Sequence, residues 1–225
     1  MSRTAAKTYS PTSLLRKLLA CFSIDWIITL LDLYPFIAQL LPGKQVGLYE
    51  ILKYDITLEL LDSKGETSVF KKHQRVKFLQ NHVIAFEDYA WGDGDIFIKY
   101  NIRPGVEVDR YQEGDRWNIL ISLRETKNRG DIEDFYVDRT VKNGFIKSEE
   151  WQQVEIRHQT DHLKISVIYP KDRRCQQAVL VERGQNKTTQ LGPEHFHELP
   201  DGRQMISWET SNIQRLEVYT LRWWW

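Results

Sequence analysis

The chain has 225 residues, which is enough for one large β domain or for one domain and an appendage. Its 31 basic and 31 acidic residues cancel, which argues against a dedicated nucleic-acid-binding protein, because such proteins usually carry a basic excess. The two cysteines, Cys21 and Cys175, are too few for a disulfide-stapled secreted scaffold. We therefore expect reduced thiols and a cytoplasmic protein.

The N-terminal part of the chain has its own pattern. Residues 1–9 are polar and basic, and we expect them to be flexible. Residues 10–43 are predicted to be helical, since Ser10 and Pro11 suit a helix start and Pro42-Gly43 suits a helix end. The apolar residues that recur at helical spacing predict a docking face for a protein partner or for a second copy of the chain: Leu18, Leu19, Phe22, Trp26, Ile27, Leu30, Leu33 and Phe36.

A membrane is the alternative partner for this segment. Residues 18–41 are long enough to span a bilayer, but Asp25 and Asp32 would each cost roughly 2.5–3.5 kcal/mol near its centre. Their separation of seven residues places both on one helix face, which is typical of an amphipathic element. We favour a helical hairpin packed on a protein surface and keep membrane association as the second hypothesis.

Residues 47–225 are predicted to form an antiparallel β-sandwich or barrel. Apolar and polar residues alternate over residues 48–60, which is the pattern of a strand with one buried face. About ten to twelve such segments follow one another with turn residues between them. They are residues 48–60, 69–79, 83–89, 96–100, 117–123, 135–141, 154–157, 163–169, 178–182, 205–208 and 216–225. The last segment lacks a clean alternation, so we expect burial on both of its faces and a position inside a sheet.

Three places in the β region carry residues suited to a ligand. A basic cluster on a predicted strand and a polar loop between two predicted strands offer donors for a small anionic ligand, and a tryptophan beside a Gly-Asp-Gly turn suits a recognition loop. For the basic cluster, the competing interpretation is a charged strand face or edge that discourages aggregation; the loop is the preferred place for a ligand contact. The candidate residues are Lys71, Lys72 and Arg75 in the basic cluster, Arg124, Lys127, Asn128 and Arg129 in the loop, and Trp91 at the turn.

Two clusters have the composition of a metal site. Asp88, Asp93 and Asp95 could supply oxygen ligands to a calcium ion, and His195 and His197 could supply two zinc ligands. The first lacks a downstream glutamate at loop spacing, and the second lacks a third ligand nearby in sequence. We therefore expect a turn and a solvated loop, with no metal and no cofactor.

No nucleophile elbow, Walker A loop, zinc-protease helix or dinucleotide fingerprint occurs in the sequence. Cys175 follows Arg173 and Arg174, which would lower its pKa, but no histidine partner stands out. A non-enzymatic protein is the expectation.

The favoured function is a binding or adaptor module whose β domain recognises a protein or ligand while its N-terminal helices dock or oligomerise. The alternative rests on layout alone. Apolar helices ahead of a compact β domain resemble small bacterial immune effectors, a resemblance that implies a ligand-sensing β domain and helices that act on a membrane. A metal-dependent hydrolase built on the clusters around Asp93 and His195 is a weaker hypothesis.

Overall fold

Alternating apolar residues fold most of the β region into strands. The computed structural model of the protein describes residues 47–225, which form one unit. The predicted flexible N-terminus and the helical segment at residues 10–43, with its docking residues, lie outside the described residues. The strands are β1 (Tyr49–Leu60), β2 (Thr67–Phe78), β3 (Val83–Ala90), β4 (Asp95–Arg103), β5 (Val106–Glu113), β6 (Arg116–Lys127), β7 (Ile132–Lys142), β8 (Glu149–Glu155), β9 (Leu163–Tyr169), β10 (Gln177–Glu182), β11 (Lys187–Gln190), β12 (Phe196–Glu198), β13 (Gln204–Thr210) and β14 (Val218–Trp224). A 3₁₀ turn spans Pro193–His195.

The strands form three sheets, and the mostly-β prediction is confirmed. The large sheet has the order β12-β13-β9-β1-β2-β7-β4, and two smaller sheets have the orders β11-β10-β14-β8 and β3-β6-β5. Within residues 47–225 no sheet closes into a barrel, because each order ends in edge strands.

One strand pair departs from the predicted antiparallel arrangement. β1 pairs with β2 in antiparallel orientation, but its other edge is taken by β9 in parallel. The large sheet is therefore mixed. The alternation within a strand shows which residues are buried, but it carries no information on which distant strand joins an edge or in which direction.

Both small sheets pack on the same face of the large sheet. Phe70 and Val76 lie six residues apart on β2 and therefore point to the same side. Phe70 belongs to a buried cluster with Leu221 and Trp223 of β14, whereas Val76 belongs to a second cluster with Phe86 of β3. A β-bulge between Ile51 and Lys53 keeps the apolar residues of β1 on this face along its whole length. The two small sheets thus meet above the middle of β2 and β7.

Candidate functional site

A cleft lies on the inner face of the large sheet, between β7, β8 and the turn that joins β3 to β4. Its inner volume is about 40 Å³, enough for about three water molecules. A single carboxylate or phosphate group fits that space. Its lining comes from the large sheet, from the turns before β4 and after β7, and from β8. The residues are Leu58, Phe70, Ile96, Arg139 and Val141 of the large sheet, Trp91, Gly92 and Asp93 before β4, Gly144 and Phe145 after β7, and Glu150, Trp151, Gln152 and Gln153 of β8.

Arg139 is the charged residue on the large-sheet side of this cleft. It sits on β7 between Val137 and Val141, both buried, and is itself only 7% exposed. Its guanidinium carbon lies 4.5 Å from the centre of the Phe70 ring. Within residues 47–225 its Nε and Nη1 atoms have no hydrogen-bond partner, and no carboxylate forms an ion pair with it. Burial lowers the pKa of Arg139 to about 10, so it is a cation at neutral pH.

A second buried cation lies close to Arg139. Lys72 of β2 forms a buried ion pair with Asp88 of β3, which joins the large sheet to the three-stranded sheet. The Tyr100 hydroxyl donates to Asp88 Oδ2 at 2.8 Å, and the Tyr89 amide donates to Oδ1 at 2.8 Å. Burial is the larger cause of a lowered pKa of Lys72, and the charge of Arg139 is the smaller cause. The Asp88 carboxylate acts in the opposite direction, because it stabilises the protonated ammonium. Two cations share one carboxylate here, so the buried group carries a positive excess.

The opposite side of the cleft carries carboxylates. Glu150 of β8 is buried, and its Oε1 accepts a hydrogen bond of 2.6 Å from the Lys147 amide. Burial raises the pKa of Glu150. Asp93 is exposed and forms an ion pair with the Lys147 ammonium, with 2.7 Å between Nζ and Oδ2. The cleft thus has a positive inner end and a partly neutralised acidic rim.

Trp91 is the predicted ligand residue that lines this cleft. It is half-buried, and Phe145 belongs to the same lining. Sequence analysis singled out Trp91 from its glycine-rich turn but missed Arg139 and Glu150. A signal for both existed, because each is a charged residue at a position that the alternation of its strand assigns to the buried face.

The other predicted ligand residues do not lie in the cleft. Lys71 and Arg75 are exposed on the outer face of β2, and Lys71 Nζ pairs with Glu59 at 3.1 Å. Lys72 points to the inner face, away from both. The cluster that is continuous in sequence is therefore divided between two faces by the strand, and its role in binding stays a prediction.

The loop after β6 is also separate from the cleft. Lys127 forms ion pairs with Glu125 and with Glu133, the latter at 2.6 Å. The Asn128 amide donates to Asp131, while Arg124 and Arg129 are exposed. These contacts occupy the Lys127 ammonium with carboxylates, while neither arginine forms an ion pair within residues 47–225.

No protein-family model and no curated protein matches this chain.

The candidate metal and nucleophile residues are placed as follows. Among the described residues, no three His, Cys, Asp or Glu side chains come close enough together to hold a metal ion. Asp88 and Asp93 are engaged by different lysines, as described above. Burial raises the pKa of Cys175 to about 11, which is opposite to the effect expected from its arginine neighbours. None of the helical structure in residues 47–225 has the length and apolar character that crossing a membrane requires.

Proposed function

We propose that this protein is a non-enzymatic binding module and that its β domain, a two-layer sandwich, holds a small ligand in the cleft above β2 and β7. The observation that carries the proposal is the cleft itself. Small-molecule sites are concave and largely apolar, and a few convergent polar groups fix the orientation of the ligand. Aromatic rings, Gln152 and Arg139 supply this combination at one place.

The lining residues favour binding over catalysis. Covalent catalysis needs a nucleophile within hydrogen-bond reach of a base, and the described lining contains no serine, threonine, cysteine or histidine. Its two carboxylates, Asp93 and Glu150, are engaged by Lys147. Recognition by rings and hydrogen bonds is the chemistry that remains.

A fragment screen with a cleft-filling variant tests this proposal. Gln152 lies in the cleft lining and is half-buried, so Gln152→Trp would fill the space with an indole ring. Ligand-observed NMR on the full-length protein should find fragments that bind the wild type and are lost with Gln152→Trp. The matched control is Gln112→Trp on β5, which leaves the cleft lining unchanged. If every fragment that binds the wild type also binds Gln152→Trp equally, the cleft is not the ligand site.

The second part of the proposal concerns residues 10–43, which we take to mediate self-association through their apolar face. Its support is the sequence pattern, in which Asp25 and Asp32 recur on one face of a predicted helix. Light scattering should show an oligomer for the full-length chain and a smaller species for the Leu19→Ser/Ile27→Ser variant. Flotation of the monomeric protein with anionic liposomes would instead favour a membrane-directed effector.

A further inference from the structure

We propose that the cleft is an oxyanion site, in which Arg139 binds the terminal carboxylate or phosphate group of a small ligand whose body rests against Trp91. This inference rests on the proposed binding function and names the ligand class. Within residues 47–225, Arg139 Nε and Nη1 have no hydrogen-bond partner.

The state of the Arg139 guanidinium is the first argument. A buried charge is normally paired or fully hydrogen-bonded, because an unpaired one loses its hydration without compensation. Arg139 is 7% exposed, yet two of its nitrogens lack partners within residues 47–225. The Phe70 ring beneath the guanidinium offers a weaker interaction that leaves the N–H donors unused. An arginine held in this state is preorganised for an incoming acceptor.

The chemistry of the missing partner follows from the guanidinium. Its planar fork of N–H donors matches the two oxygens of a carboxylate or of a phosphate group. The positive excess shared by Arg139, Lys72 and Asp88 favours a ligand that carries negative charge. A neutral ligand would leave that excess uncompensated.

The cleft offers one place for a head group and another for the body of a ligand. The inner space of about 40 Å³ accommodates one oxyanion group. Trp91 belongs to the same lining and is half-buried. A ring or an apolar chain attached to the oxyanion therefore has the Trp91 indole to pack against.

Calorimetric titration of the full-length protein in a phosphate-free buffer tests the charge requirement. The probes are phenyl phosphate, benzoate and inorganic phosphate, with phenol as the neutral analogue. At least one of the two aromatic anions should bind more tightly than phenol by about 10- to 150-fold, the factor that corresponds to hydrogen bonds with a charged group. Whichever of phenyl phosphate and benzoate binds more tightly identifies the head group. Equal affinity for phenol and both anions would overturn the inference.

Substitutions localise the binding to Arg139. Arg139→Met should remove the preference for anions, and Arg139→Lys, which keeps the charge without the fork, should give an intermediate affinity. Arg116→Met is the control, because Arg116 pairs with Glu155 at 3.0 Å and does not line the cleft. If Arg139→Met binds the anions as the wild type does, Arg139 is not the receptor.

A measurement on the wild type keeps the inference falsifiable if Arg139→Met fails to fold. The Nε–H signal of Arg139 in an arginine-selective ¹H–¹⁵N spectrum, assigned by its loss in Arg139→Lys, should shift on addition of the tighter anion. An unchanged signal at saturation would contradict the inference. Neutral fragments that bind the cleft without any preference for anions would overturn the oxyanion site alone. The absence of any cleft ligand in the fragment screen would overturn the proposed function as well.

Discussion

Removing the carboxylate from the buried Lys72–Asp88 pair should destabilise the protein strongly and in a pH-dependent way. The side chains of Lys72 and Asp88 are 5% and 2% exposed, so solvent cannot replace a lost partner. Asp88→Asn keeps an oxygen that can accept a hydrogen bond from Tyr89 or Tyr100, and it removes the charge. Leaving one member of a buried ion pair uncompensated costs about 3–5 kcal/mol.

The pH dependence follows from the pKa of Lys72. Burial and the charge of Arg139 lower the pKa of Lys72 in the wild-type protein from 10.5 to about 7, and Asp88→Asn keeps both causes while it removes the opposing carboxylate. The unfolded variant therefore binds more protons than the folded variant below pH 10.5, so the free energy of unfolding of the variant rises with pH there. The penalty relative to the wild type is about 4 kcal/mol at pH 7.

Urea unfolding followed by tryptophan fluorescence at pH 7 and pH 9.5 measures both quantities. The double variant Lys72→Met/Asp88→Asn should regain most of the loss at pH 7, because no buried charge of the pair remains. Lys71→Met is the matched control on the outer face of β2, where the exposed pair with Glu59 is worth at most about 1 kcal/mol. A loss below about 1 kcal/mol for Asp88→Asn at pH 7, or a variant whose free energy of unfolding does not rise from pH 7 to pH 9.5, would refute the assigned role of the pair.

Three further predictions concern the cleft and the described cysteine. Glu150→Gln should strengthen binding of an anion several-fold, and wild-type affinity should rise on acidification as Glu150 protonates, because its pKa is raised; an affinity unchanged by the substitution would place the anion elsewhere. Arg139→Met should raise the free energy of unfolding by about 1 kcal/mol in anion-free buffer, since it removes an unpaired buried charge and only partly loses the contact with Phe70; a lower urea midpoint would show that the charge is satisfied. In a Cys21→Ser background, Cys175 should resist thiol reagents at pH 8 until urea unfolds the protein, because its pKa is about 11; rapid labelling of the folded protein would contradict its burial.

The strand pattern was predictable because burial on one face leaves a period of two in the sequence. β1 and β9 show this over most of their length, and both were predicted as strands. β5 was missed because it is an edge strand in which no residue is buried, so its sequence lacks an apolar period. The short strands β11 and β12 were missed for the same reason, since neither contains a buried residue.

The inner position of β14 was predicted for a reason that the structure corrects. It lies between β10 and β8, as expected of a strand inside a sheet. The prediction assumed burial on both faces, but only Tyr219, Leu221 and Trp223 are fully buried, while Arg222 on the other face is exposed. Hydrogen bonding on both edges and burial on both faces are separate properties, and the alternation reports only the second.

The sequence does contain a signal for the candidate site, namely charged residues at positions that the strand alternation assigns to the buried face. Lys72 shares the alternation of Phe70 and Val76, and Arg139 shares that of Val137 and Val141. A charged residue within an otherwise apolar face is costly to bury unless something compensates it. The predicted basic cluster consists of charges that are adjacent in the chain, whereas adjacent residues of a strand point to opposite faces of the sheet. Charges that interrupt the buried face are fewer, and in this fold strand pairing brings them together beside the cleft. The carboxylate of Asp88 compensates the charge of Lys72, whereas no carboxylate among the described residues compensates the charge of Arg139. The oxyanion titration measures whether a ligand supplies the missing negative charge.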